Sequence, residues 1–257
     1  MSERANIALV SVGADLDVTT VPVVRRRMDR LVAQGCRRVF MNMAGVEHVD
    51  SAGMGLILTE LRNIRRQGGL LSLVNVSPQV YQALRRMRML DYMPVERAGV
   101  RREVTALDPS VLPRWRTTFR VDSSALGEAR ERLEGLLATL PFSPDEVFDM
   151  TLASGEAFGN AVDHTGGTGV LATVAAYPDR VTIDVTDCGC GFELAGDEEP
   201  PETGPCAERG RGIRLMRLLA DSVSIAHKSS GEGTVVRLVK LFGTADADVL
   251  PAPGIPA

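Results

Sequence analysis

Long apolar runs are missing from this 257-residue chain: no stretch of about 18 consecutive hydrophobic residues occurs, which excludes a membrane-spanning helix of ordinary length. The opening MSERANIALVSVGADLD lacks the basic, apolar and small-residue blocks of a secretory signal, so the expectation is a cytoplasmic protein without membrane contact. Cysteine is scarce. Cys36, Cys188, Cys190 and Cys206 show no zinc-ribbon spacing and fit free thiols in a reducing compartment. Cys188 and Cys190 cannot complete a tetrahedral metal site alone, and they read as small apolar residues in a glycine turn. Lysine is nearly absent, since only Lys228 and Lys240 appear among 29 basic residues. The net charge of −4 hides an asymmetry: residues 1–110 carry 16 basic and 11 acidic side chains, the remainder 13 and 22. Opposite signs can steer two modules together or toward a charged partner. Clusters such as Arg25, Arg26 and Arg27 are ordinarily solvated helix faces, so direct nucleic-acid binding is not expected.

What is present is enough apolar material, 44% of the chain, for two modest cores. In the first half, short apolar runs alternate with helical periodicity, the pattern of an α/β sheet with helices packed on it. IALVSV at 7–12, RRVFMNM at 37–43 and LLSLVNV at 70–76 read as strands. Residues 20–34 place Val21, Val24, Met28, Leu31 and Val32 on one helical face that Gly35 ends. A second helix is predicted over 51–66, and Pro78 opens a third carrying Val80, Leu84 and Met87. Pro109 and Pro113 break the pattern, which puts a linker at 107–116 between domains at 1–106 and 117–243.

The second domain is expected to be a mixed α+β module. A strand near 117–121 leads to a helix capped by Asp122, Ser123 or Ser124 and running to about 139, and a long helix extends to about 163. Strands follow at 168–177 and 180–187, then a polar Gly/Pro-rich stretch at 193–212 expected to be mobile. A helix at 212–221 and strands at 222–228 and 234–242 close the module, and the tail 244–257 is expected to be disordered.

Two regions carry chemistry. In the first, Val49-Asp50-Ser51-Ala52-Gly53-Met54-Gly55 lies between a strand and a helix, where Asp50 or Ser51 would cap the helix and a phosphate on Ser51 would meet its positive end. A serine at such a place is ordinarily only a cap. With Gly13-Ala14-Asp15-Leu16-Asp17 ahead of it, however, the segment resembles the STAS family of anti-sigma factor antagonists over residues 5–105. That family shows a G-E-L-D stretch and then D-S-S/T-G-L-G, and the resemblance implies that Ser51 accepts a phosphate. Ala52 departs from the motif without touching the acceptor, and the family's usual preceding strand is missing, leaving a sheet edge open.

The second region holds three signals in a fixed order. Glu156, Asn160 and His164 recur every four residues and so share one face of the long helix, amid Ala157, Phe158 and Ala161. A carboxylate and an amide in fairly apolar surroundings need partners, which a metal or phosphate would supply. Asp187-Cys188-Gly189-Cys190-Gly191-Phe192 ends a strand with glycines that admit close approach of a ligand, and Arg209-Gly210-Arg211-Gly212 opens a helix as a phosphate cradle.

Together these resemble the N, G1 and G2 boxes of the GHKL ATPase superfamily, and with Gly233-Thr234 ahead of the last strand they look most like its anti-sigma factor serine kinases, over residues 115–243. The resemblance implies a Bergerat-type sandwich binding ATP with Mg²⁺ on Asn160. It implies adenine recognition by Asp187 and Thr234, pocket walls at Gly189 and Gly191, phosphate contacts at Gly210 and Gly212, charge compensation by Arg209, and Glu156 as general base. His164 is read as ordering the helix end.

The expected function is regulation of a sigma factor by partner switching, with ATP-dependent phosphorylation of Ser51 or of the equivalent serine in a separate STAS protein. A PP2C-type phosphatase would reset the serine, the two domains would contact each other within the chain, and a homodimer is compatible. A linker of about 12 residues reaches at most about 40 Å and can hold the modules at millimolar effective concentration. The alternative is a non-catalytic, nucleotide-dependent anti-sigma binding switch autoinhibited by the fused STAS domain. A sensor histidine kinase is discounted, because His48, His164 and His227 are the only histidines and none sits in a dimerising hairpin.

Overall fold

The computed structural model describes residues 7–99, 102–165, 169–189, 207–228 and 233–243, with side chains undescribed at 207–211. The chain divides into two compact units, Met1–Arg101 and Arg102–Ala257.

In the first unit four parallel strands lie in chain order: β1 (Ile7–Ser11), β2 (Arg38–Asn42), β3 (Leu70–Val76) and β4 (Val95–Arg97). Between them come α1 (Val21–Ala33), α2 (Ser51–Arg66) and α3 (Pro78–Arg86). Strands buried on both faces read as continuous apolar runs, and Val39, Phe40 and Met41 of β2 and Leu70, Leu71, Leu73 and Val74 of β3 are all buried. Val24 and Met28 of α1 and Leu56, Ile57, Leu61 and Ile64 of α2 complete this core. Gly35 ends α1 with φ of +83°, a left-handed conformation that glycine adopts without strain. β1 pairs only with β2, so it is a sheet edge among the described residues.

In the second unit five antiparallel strands run in the order β5 (Trp115–Val121), β6 (Val170–Ala176), β7 (Arg180–Thr186), β9 (Thr234–Leu241), β8 (Ser222–His227). Helices α4 (Leu126–Leu137), α5 (Pro144–Thr165) and α6 (Ala207–Leu219) pack together, and α5 lies against β6, β7 and β9. Strand alternation sorts the faces: Phe119, Val121, Ala172, Val174, Ile183 and Leu238 are buried, whereas Arg116, Thr118 and Arg120 are exposed. Phe119 meets Phe158 of α5 edge-on, with centroids 6.4 Å apart and planes at 80°. The start of α5 is fixed by a reciprocal cap: the Ser143 amide donates to the Glu146 carboxylate at 2.9 Å and the Glu146 amide to Ser143 Oγ at 3.3 Å.

The stretch ahead of β5 is tied to this second unit. Arg180 is 5% exposed; its Nε and Nη2 donate to Asp179 at 3.0 and 2.7 Å, and its Nη1 donates to the Thr105 carbonyl at 2.7 Å. Arg102 donates to the Leu241 carbonyl at 3.2 Å and lies 3.9 Å from the Asp221 carboxylate.

Several local expectations change. Met87 is exposed rather than part of the buried face, because α3 ends at Arg86 and Arg88, at φ of +56°, redirects the chain so that Met89 takes the core place. β4 was not anticipated, since it is three residues long and joins β3 across an irregular register. The strand expected from 117 begins at Trp115. Asp122, Ser123 and Ser124 give α4 no side-chain cap; a single 3₁₀ turn over Ser123–Ala125 intervenes and Ala125 stands at the cap position. α6 begins at Ala207, five residues before the predicted start.

Candidate functional site

In the first unit the loop after β1 and the loop after β2 are stitched at the C-terminal end of the parallel sheet. Asp15 Oδ1 accepts from the amides of Glu47 and His48, both at 2.9 Å, and Leu16 bridges to Val49. The cap of α2 is Asp50, not Ser51. Its Oδ1 accepts from the Gly53 amide at 2.8 Å and its Oδ2 from the Val18 amide at 3.3 Å. Ser51 is thereby left as the first helical residue, exposed, with its hydroxyl not spent on capping. Gly53 is required by space, because a Cβ there would overlap the Leu16 carbonyl and the Val49 side chain. Beside the site, hydrogen bonds from Thr19 and Thr20 hold the Asp17 carboxyl below its ordinary range. The sequence reading used Asp15 and Gly53 only as parts of a motif; their tasks are anchoring one loop to the other and admitting a close backbone approach.

In the second unit the site gathers around α5. Glu156 and Asn160 are half-buried on one face, and α6 brings Gly212 against them. A Cβ at Gly212 would lie 3.2 Å from Glu156 Oε2 and 3.3 Å from Asn160 Nδ2. Burial pushes the Glu156 carboxyl up, and the Arg130 guanidinium of α4 opposes the rise. A carboxylate whose proton affinity is raised is a better base than an exposed one.

At the end of β7, Asp187 is buried, and its Oδ1 accepts from the amides of Gly189 at 2.9 Å and Thr234 at 3.0 Å. Both bonds fall on one oxygen, so Oδ2 remains for a further donor. Gly233 has φ of +122°, and a Cβ there would run into the Asp187 carbonyl, so the approach of β9 to β7 depends on glycine. Gly189 lies against the backbone of His164, where a Cβ would be 3.3 Å from the His164 carbonyl oxygen.

The predicted residues Glu156, Asn160 and Gly212 therefore come together, and Asp187, Gly189 and Thr234 form a second group. Gly191 lies outside the described residues, as do the mobile stretch up to 206, the tail 244–257, and the side chains of Arg209 and Gly210. Cys188 is exposed, with its thiol 3.5 Å from Lys228 Nζ, which corrects its reading as a small apolar filler; Cys190 and Cys206 lie outside the described residues. Arg130 and Gly233 were missed. Gly233 was legible only as a companion of Thr234, whereas Arg130 carries no local signal because its partner is on another helix. Among the described residues no group of three or more His, Cys, Asp or Glu side chains could hold a metal by itself, and no helix is long and apolar enough to cross a membrane.

Comparison with known proteins divides the chain in the same two parts. Residues 1–100 match the STAS domain family and residues 119–240 the histidine kinase-like ATPase domain family. An anti-sigma F factor antagonist of Paenibacillus polymyxa is 26% identical over 96 residues, covering 37% of this chain and 82% of that protein. A serine-protein kinase RsbW of Halalkalibacterium halodurans is 30% identical over 143 residues, covering 51% of this chain and 85% of that protein. An anti-sigma-B factor antagonist of Staphylococcus aureus is 29% identical over 86 residues, covering 34% of this chain and 80% of that protein.

Proposed function

We propose, starting from the fact that this chain belongs to the STAS family over residues 1–100 and to the histidine kinase-like ATPase family over residues 119–240, that it controls a sigma factor by partner switching and that its second unit is a serine kinase. The substrate is a STAS-domain serine, either Ser51 of this chain or its counterpart in a separate antagonist. The observation that carries the reading is the meeting of Glu156 and Asn160 with Gly212, where a raised carboxyl, an amide oxygen and a side-chain-free backbone share one small space.

The donor set fits a magnesium nucleotide. Mg²⁺ takes hard oxygen ligands and keeps much of its shell as phosphate and water, so it needs few protein groups, and Asn160 can supply an amide oxygen. When bound, ATP and Mg²⁺ supply the transferable phosphoryl group and neutralise its charge. The chain's residues do the rest. Asp187 Oδ2 is free to accept from an adenine amino group, while its Oδ1 keeps Gly189 and Thr234 in place. The absence of a side chain at Gly212 leaves room for phosphate oxygens, and Gly210, Gly191 and Arg209 are assigned to the same pocket by their motif positions. Glu156 takes the proton of the serine hydroxyl as the serine oxygen bonds to the γ-phosphorus and the bond from that phosphorus to the ADP oxygen breaks.

Phosphorylation of Ser51 would add nearly two negative charges beside Asp50 and Asp17, at the exposed first turn of α2. That change of sign at a docking surface is what would exchange one partner for another. Intact-mass measurement with peptide mapping, on the full chain incubated with Mg²⁺ and ATP, tests the reading. One phosphate on Ser51 or on an added STAS antagonist, absent with Glu156→Ala, is the expected result. Sigma-factor capture that depends on nucleotide without any phosphate transfer would replace it with the non-catalytic switch.

A further inference from the structure

Gly155 stands in the interior of α5, a place where glycine weakens a helix and therefore requires a reason. The reason lies on α4. A Cβ at Gly155 would be 2.7 Å from Arg130 Nε and 3.5 Å from both its Cδ and Cζ, so the Arg130 side chain lies flat on the α5 backbone in the space that glycine leaves. The next residue along α5 is Glu156, and Arg130 is the charged group that acts on its carboxyl. The elements packed on α5 offer it nothing equivalent among the described side chains: α6 brings the uncharged Gly212 to the carboxylate, and the nearest site residue on α5 itself is the neutral Asn160. α4 is held in turn by Ala129, Leu133 and Leu137 in the core and by Arg132 over the Phe119 ring at 5.0 Å, so Arg130 projects from a fixed support.

We propose that Arg130, seated against Gly155, is a positioning residue that orients the Glu156 carboxylate toward the attacking serine hydroxyl. This rests on the kinase reading above. A guanidinium presents its donors in a rigid planar fork, which fixes the direction of a carboxylate as well as offsetting its charge. Orientation matters here because the carboxylate must receive the serine proton while the phosphoryl group moves, and a displacement of about 1 Å at such a group can cost on the order of 100-fold in rate.

The test uses the full chain with Mg²⁺, ATP and a STAS acceptor, comparing Arg130→Gln, Arg130→Lys and Gly155→Ala with the parent. Rates are followed by intact mass, ATP affinity by equilibrium binding, and folding by thermal unfolding. The expected result is a fall in kcat of roughly 10- to 100-fold for Arg130→Gln and for Gly155→Ala, with ATP affinity and KM for the acceptor held within about twofold, and partial recovery in Arg130→Lys. Unchanged kcat in Arg130→Gln would overturn the assignment, as would a rise in acceptor KM at constant kcat, which would make Arg130 a docking contact. Loss of ATP binding or of folding in every variant, with no recovery by lysine, would reduce it to a structural residue. An inactive parent chain would instead defeat the kinase reading on which the assignment stands.

Discussion

Glu60 stands fully buried on α2, and its Oε2 meets no hydrogen-bond donor. Burial raises its carboxyl above the ordinary value of 4.5, Asp29 on α1 adds to the rise, and Arg25 opposes it. Replacing it by methionine, of similar volume, removes a buried polar group without opening a cavity. Leaving such a group unsatisfied costs about 1–3 kcal/mol, so Glu60→Met is expected to stabilise the first unit by that amount near neutral pH. For a unit of roughly 100 residues this is a rise of about 4–20 °C in the midpoint of its thermal transition. The pH dependence has a definite sign. Because the folded pKa exceeds the unfolded one, the folded carboxyl's contribution is fully present below 4.5 and is lost as pH rises through the raised value. The advantage of Glu60→Met should therefore be smallest near pH 4.5 and widen as pH increases. Differential scanning calorimetry of the full chain and the variant at pH 5, 6, 7 and 8 measures it. A gap independent of pH, or a variant less stable than the parent at pH 7.5, would refute the reasoning.

Asp50→Ala removes both the cap of α2 and the tie to Val18; a loss of about 0.5–2 kcal/mol is expected, read as a lower denaturant midpoint at unchanged slope. Phe158→Ala empties the centre of the second core, where the ring is fully buried against Phe119, and should cost about 3–5 kcal/mol in the same assay. Gly233→Ala forces a side chain into the Asp187 carbonyl, and Asp187→Asn weakens the frame that holds Thr234 and Gly189. Each should lower affinity for a fluorescent ATP analogue by roughly 10- to 100-fold, the worth of a hydrogen bond to a charged group. Unchanged binding in both would remove Asp187 from the nucleotide site.

The elements that sequence periodicity located best are those whose neighbours are local. The limits of α2 and β3 follow from an uninterrupted apolar pattern bounded by a capping aspartate and a glycine pair, and the structure keeps them. β4 escaped because three residues cannot show a period, and its place is set by β3 rather than by its own sequence. The early start of α6 escaped because Gly210 and Gly212 argue locally for a turn, whereas packing of α6 on α5 carries the helix through them. The same division holds at the sites. Glu156 and Asn160 announce themselves by a spacing of four on one helix. Arg130 does not, since what ties it to Glu156 is the crossing of two helices. The one trace it left in the sequence is Gly155, a glycine where a helix would otherwise prefer alanine.

The stretch from Arg102 to Thr105 decides where this chain can be cut. Pro109 and Pro113 invite a boundary after residue 106, yet a second unit begun there would lose the Thr105 carbonyl that receives a proton from Arg180, and with Arg102 it would lose a cation beside Asp221. A guanidinium left almost without solvent would then have one donor unanswered, a defect that grows with temperature-driven opening and marks the turn at Asp179 as the first place to fray. Anyone separating the kinase-like unit from its regulator should begin at Arg102, and a protease acting on the intact chain should release a fragment that still carries those residues.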